Sequence, residues 1–225
     1  MRLQFKSGIM GKSGGSAAVF LFDDDVTALA NREELAPYKE SIERLLKNKE
    51  FKPSPLAEVP LKTHGGWLLL VGLGKIDDLS PALLLEAGAV AARMAESRNI
   101  KELDLILPGL RYLLPEEATE QVAVGCLLSA YKQTEFKSEA APAPALKTIR
   151  LWSHQVKKGA YILKTAEAAA EAVKLARRLG DMPPNLLDPE RLEAEALNLG
   201  KPLKIKDRVL EEKAMAKEKL NHILA

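Results

Sequence analysis

Few residues in this chain have the type and spacing for chemistry. Asp23-Asp-Asp25 places three carboxylates in a row after the apolar run Ala17 to Phe22. Hard divalent cations take clustered carboxylates. Consecutive side chains on an extended chain alternate in direction, however, so the triplet reads as a solvated turn. Gly72-Leu-Gly-Lys75 lies between an apolar strand and a helix, where backbone amides can cradle an anion. It lacks the third glycine of a dinucleotide fingerprint and the Ser/Thr of a phosphate-binding loop. It reads first as a tight turn, with Gly72, Gly74 and Lys75 the candidate anion-binding group.

The histidines His64, His154 and His222 are isolated, outside any His-Glu-x-x-His pattern. Cys126 is the single cysteine; it excludes an intrachain disulfide and a cysteine zinc cluster. Its setting, Val122-Ala-Val-Gly-Cys-Leu-Leu, reads as a buried helix. The one Gly-x-Ser-x-Gly match, Gly11 to Gly15, lies in the glycine-rich loop ahead of a strand run and not on a strand-to-helix elbow, and no aromatic stripe accompanies the scattered lysines Lys6, Lys12 and Lys52. The expected site is therefore empty of catalytic and metal-ligating residues.

The elements that hold these residues follow from periodicity. Leu3 and Phe5 open a short strand, and Gly8 to Gly15 form a glycine-rich loop. Ala17 to Phe22, Trp67 to Gly72, Glu102 to Leu107 and Thr148 to Trp152 read as strands, with Val59 to Thr63 as an edge strand. Continuous apolar runs imply burial on both faces of the sheet. Helices are expected from Pro37 to Asn48, from Ser80-Pro81 to Asn99, from Pro115 to about Tyr131, and from Gly159 to Leu179. Ser80 is a good N-cap with proline following. Gly180 is expected to cap the long helix. Asp188-Pro189 opens another helix ending at Gly200, Leu203 to Ile205 is a strand candidate, and Arg208 to Lys219 a last helix. Glu139 to Ala145, rich in proline and alanine, reads as a surface loop. Alternating strands and helices argue for an α/β layer with at least partly parallel strands.

The chain has 225 residues, 47% hydrophobic and 28% charged, with 33 Lys+Arg against 31 Asp+Glu. A net charge of +2 gives no pull toward nucleic acid or anionic membrane. No apolar stretch reaches the roughly 18 residues of a membrane span, and the N-terminus lacks a secretory pattern. A reduced cytoplasmic setting is expected.

One segment is more specific. Asp181-Met-Pro-Pro-Asn185, followed by Asp188-Pro-Glu-Arg-Leu192, resembles the stretch joining the two domains of leucyl (cytosol) aminopeptidases. Leu70 to Lys75 is similar to that family's N-terminal strand and turn. Gly125 to Lys137 is similar to its Gly-x-x-Leu-x-x-Tyr helix end. The resemblance implies a macro-domain-like mixed sheet flanked by helices, then a linker helix and the start of a second α/β domain. The expected boundaries are 1–155 for the first domain, 156–182 for the linker and 183–225 for an incomplete C-terminal domain.

The resemblance further implies a hexameric metallo-exopeptidase that removes N-terminal amino acids with two divalent ions, zinc or manganese. The family's ligands include an Asn-Thr-Asp-Ala/Glu-Glu-Gly-Arg motif, which is absent here. No catalytic residue transfers, so the chain is expected to be inactive alone and to carry no cofactor. Its implied role is assembly and active-site access, with its own catalytic domain or full-length subunits as partners. The alternatives are a free-standing macro-like nucleotide- or phosphate-binding module and a catalytically dead assembly subunit.

Overall fold

The computed structural model describes residues 1–8, 10, 15–23, 36, 38–107, 114–134, 143–220 and 223. They form two compact units, Met1–Leu175 and Ala176–Ala225.

The first unit is built on six strands: β1 (Arg2–Ser7), β2 (Ser16–Phe22), β3 (Glu58–Thr63), β4 (Gly66–Gly74), β5 (Glu102–Ile106) and β6 (Thr148–Ser153). Their order is β1-β6-β5-β2-β4-β3. All neighbours are parallel except β3, which pairs antiparallel with β4 at one edge. The sheet is thus mixed, as expected. Pro60 fits this edge position, because an edge strand can spare one ladder donor.

The apolar run of β2 lies between β4 and β5, and all its residues after Ser16 are buried. Strand side chains alternate between faces, and the core divides accordingly. Ala18, Phe20 and Phe22 pack with Leu69, Val71, Leu103 and Leu105 in one cluster. That cluster includes residues of three helices: α2 (Pro81–Ser97), α3 (Pro115–Ser129) and the first half of α4 (Gly159–Asp181). Ala17, Val19 and Leu21 pack with Leu68, Leu70 and Ile106 in the other cluster, with Tyr38, Phe51 and Ile42 and Leu45 of α1 (Lys39–Lys47). Both faces of β2 are covered, which is why its sequence does not alternate.

Ser80 caps α2 through a hydrogen bond from the Leu83 amide (3.2 Å), with Pro81 in the first turn. The α2–α3 pair is held close by small residues. A Cβ on Gly125 would stand 1.8 Å from the Leu85 carbonyl oxygen, and one on Gly88 would stand 2.4 Å from that of Val122. The Cys126 Sγ donates to the Gly88 carbonyl at 3.3 Å.

The second unit holds the end of α4, then α5 (Pro189–Gly200) and α6 (Glu212–Lys217). Asp188 caps α5, its Oδ1 accepting from the Arg191 amide at 2.7 Å. Three expectations change here. Gly180 lies inside α4, which continues to Asp181. Leu203 to Ile205 form turns rather than a strand: the amides of Leu203 and Ile205 both return to Gly200 O, and Lys204 is left-handed at φ 54°. A strand needs a neighbour to satisfy its ladder, and none of the described strands pairs with this segment. The last helix is α6 alone, shorter than 208–219. Neither hydrophobic cluster contains a residue beyond Ala170. Leu186, Leu192, Leu199, Leu203, Ile205 and Val209 are exposed. Among the described residues no helix is long and apolar enough to cross a membrane.

Candidate functional site

Gly72 and Gly74, expected in a tight turn, are instead the closing residues of β4, and both serve packing. The Gly72 amide donates to Ala57 O at 2.8 Å, and Leu56 N–H donates back to Gly72 O at 2.9 Å. The Gly74 amide donates to Pro53 O at 2.7 Å, while Gly74 O accepts from Asp23 N–H. A Cβ at Gly72 would lie 2.2 Å from Ser54 O. Gly74 is left-handed at φ 71°, with Pro55 against it. Both glycines are therefore required by the segment from Pro53 to Ala57, and the amides an anion would use are committed to protein carbonyls. Lys75 is exposed and extended, ahead of a single 3-10 turn at Ile76–Asp78. The positive end of α2 begins only at Pro81, beyond this turn.

The other candidates are dispersed. His64 and His154 are exposed; His222, Asp24 and Asp25 lie outside the described residues, as do residues 135–137 of the family-like helix end and most of the 139–145 loop. Cys126 is fully buried, and burial pushes its thiol up to about 12, far from the thiolate that a nucleophile needs. Among the described residues no three His, Cys, Asp or Glu side chains stand close enough to hold a metal ion.

The structure does assemble one charged cluster that the sequence reading missed. Asp104 on β5 faces Arg150 on β6 as a direct cross-strand partner. The Arg150 Nε and Nη2 donate to Asp104 Oδ1 and Oδ2 at 2.7 and 3.0 Å. Its Nη1 donates to Glu102 Oε2 at 2.7 Å, and Trp152 Nε1 donates to Asp104 Oδ1 at 2.8 Å. Asp104 is only 3% exposed. Hydrogen bonds from the guanidinium to Asp104, then to Glu102, hold Arg150 well above its ordinary range. Burial raises the Tyr38 phenol, and the Asp104 charge raises it further. A carboxylate gripped by a guanidinium fork and an indole N–H has its acceptor oxygens committed to neighbouring side chains. It is suited to locking β5 to β6 rather than to shuttling protons. The available signal was one of phase: Asp104, Arg150 and Trp152 all fall on the same sheet face once the strands are aligned.

In the second unit, Pro183 O accepts from the amides of Leu186 and Leu187 (2.9 and 3.1 Å), curling the Pro-Pro-Asn loop toward its Asp188 cap. Glu195 accepts from both Arg178 and Arg191. The Arg178 hydrogen bond is the main cause of its lowered pKa.

Fold and side chains together define a mixed α/β domain whose charged groups tie strands, loops and helix ends to one another. The chain belongs to the cytosol aminopeptidase family: residues 18–140 match the family's N-terminal domain. A probable cytosol aminopeptidase of Prochlorococcus marinus is 28% identical over 225 residues, 98% of this chain and 45% of that protein. One from Roseiflexus castenholzii is 29% identical over 162 residues, 70% of this chain and 33% of that protein. A mutant of tomato leucine aminopeptidase shares the fold with a TM-score of 0.80 at 19% identity, over 96% of this chain and 46% of its own. The bottromycin maturation enzyme BotP does so with a TM-score of 0.69 at 20% identity, over 90% and 40%. The chain spans less than half the length of these relatives.

Proposed function

We propose that these residues serve as the non-catalytic N-terminal part of a leucyl-aminopeptidase-like exopeptidase, contributing to assembly and to access to the active site. The match of residues 18–140 to the family's N-terminal domain carries this reading. In the assembled enzyme the reaction is removal of N-terminal amino acids from peptides. The described residues offer no donor set for a pair of divalent ions. Zinc or manganese would then be held by the catalytic portion. The setting is cytoplasmic, and the partners are catalytic domains or full-length subunits in a homo-oligomer, a hexamer on the family pattern.

The second unit supports a partner. Among its described residues, six large apolar side chains between Leu186 and Val209 are exposed, and none belongs to either core cluster. Exposed apolar groups in such number favour burial against further protein.

The test is hydrolysis of a leucine anilide with manganese or zinc, first by the chain alone and then with the separately produced catalytic portion of a cytosol aminopeptidase. The expected result is no turnover alone and co-elution of the two proteins on gel filtration. Metal-dependent turnover by the chain alone, or failure to associate, would overturn the proposal.

A further inference from the structure

A cavity of about 440 Å³ opens between the C-terminal ends of α2 and α3, beside the segment leading into β6. This is within the size range of small-molecule sites, roughly 300–1,000 Å³. Ala92, Ala130, Pro144 and Leu146 give it apolar walls, while Arg93 and Lys132 stand exposed among its lining.

Glu96 also lines it, but both its oxygens are engaged. Oε1 accepts from the Ala145 amide and Oε2 from the Leu146 amide, each at 2.9 Å. Burial raises the Glu96 pKa, but those two hydrogen bonds, with Lys132 and Lys147 nearby, outweigh it and leave the carboxyl lowered. Glu96 is thus a fixed clamp that shapes one wall. The hydroxyls of Ser97 and Ser129 donate to Met94 O and Cys126 O, so neither offers its proton to a ligand. Arg93 and Lys132 make no ion pair among the described residues. They are the two cationic side chains in its lining.

We propose that this cavity binds a small carboxylate carrying an apolar body, the anion meeting Arg93 and Lys132 and the body lying against Ala92 and Leu146. A guanidinium can take a carboxylate through two parallel bonds, and an ammonium adds a point charge. Free apolar amino acids and the C-terminal residue of a peptide share this chemistry.

Titration of the whole chain with N-acetyl-leucine, free leucine and leucinamide, followed by methyl chemical shifts of Ala92, Ala130 and Leu146, tests it. N-acetyl-leucine is expected to saturate these shifts in the millimolar range, and leucinamide, which lacks the carboxylate, to leave them unmoved. Saturation by free leucine as well assigns the site to amino acids, and its absence assigns it to peptide C-termini; either supports the carboxylate reading. R93Q and K132Q are each expected to weaken binding of N-acetyl-leucine roughly tenfold, the loss of one charge-assisted hydrogen bond. A130W fills the cavity from an exposed position and is expected to abolish binding without lowering Tm. No saturation by N-acetyl-leucine, equal binding of leucinamide, or unchanged affinity in R93Q, K132Q and A130W would overturn the inference. None of these readouts depends on aminopeptidase activity.

Discussion

Gly125 stands in the helix end that resembles the aminopeptidase family, and the structure gives it a steric reason to be there. The perturbation is Gly125→Ala. The new Cβ would meet the Leu85 carbonyl oxygen at 1.8 Å, the Leu85 carbonyl carbon at 2.8 Å and the Ala89 nitrogen at 3.1 Å. All three are backbone atoms of α2, so no rotamer change relieves the contact. An ordinary carbon–oxygen approach is about 3.3 Å, so the two helices must part by roughly 1.5 Å. That opens the contact made by Val122, Cys126 and Leu127, all buried in the larger cluster. Overpacking of this kind costs about 1–3 kcal/mol, and alanine's better helix propensity returns at most about 1 kcal/mol. Because all three contacts are with backbone, the upper end of that cost applies, and the net expectation is a loss of about 2 kcal/mol. For a unit of this size, that is a fall in Tm of roughly 4–8 °C. Gly180→Ala is the internal control: nothing lies within 4 Å of its Cβ position, and it sits in the last turn of α4. It is expected to stabilise by about 0.5–1 kcal/mol. Urea titration followed by circular dichroism reads both. A Gly125→Ala protein within 0.5 kcal/mol of the parent would refute the close-crossing argument.

Three further outcomes follow from named contacts. Asp104→Ala leaves the Arg150 fork and the Trp152 indole N–H without their acceptor; urea titration should show a loss of about 2–4 kcal/mol, and Arg150→Lys, which cannot fork, should recover little of an Arg150→Ala deficit. Glu96 has a folded pKa below its ordinary 4.5, so its clamp contributes stability above that value and loses it as pH falls through the folded pKa; thermal melts of Glu96→Gln between pH 6 and about 3 should lack this part of the acid decline. Cys126, with its thiol raised to about 12, should resist a thiol-disulfide reagent at pH 8 in the native protein and react fully in denaturant; rapid native labelling would contradict its burial.

Much of the first unit was legible because its signals are local. The runs Ala17 to Phe22 and Trp67 to Gly72 announce strands buried on both faces, and Ser80-Pro81 announces a helix start. What escaped is set by neighbours distant in sequence. Asp104 in an apolar strand looks like a solubilising charge until register places it opposite Arg150. Gly72 and Gly74 read as a tight turn with an anion-binding alternative until the structure makes them the end of β4, their amides taken by the carbonyls of Ala57 and Pro53. The segment at Leu203 to Ile205 has strand-like composition, yet its amides close turns onto Gly200 and Lys201. Pattern alone cannot supply a partner strand. Gly180 suggested a helix end, but the helix continues through it to Asp181.

The most direct test of the non-catalytic reading is metal stoichiometry. After equilibration with zinc or manganese and gel filtration into metal-free buffer, mass spectrometry of the eluted protein should find less than one ion per chain. Two retained ions per chain, coordinated by carboxylates, would contradict it.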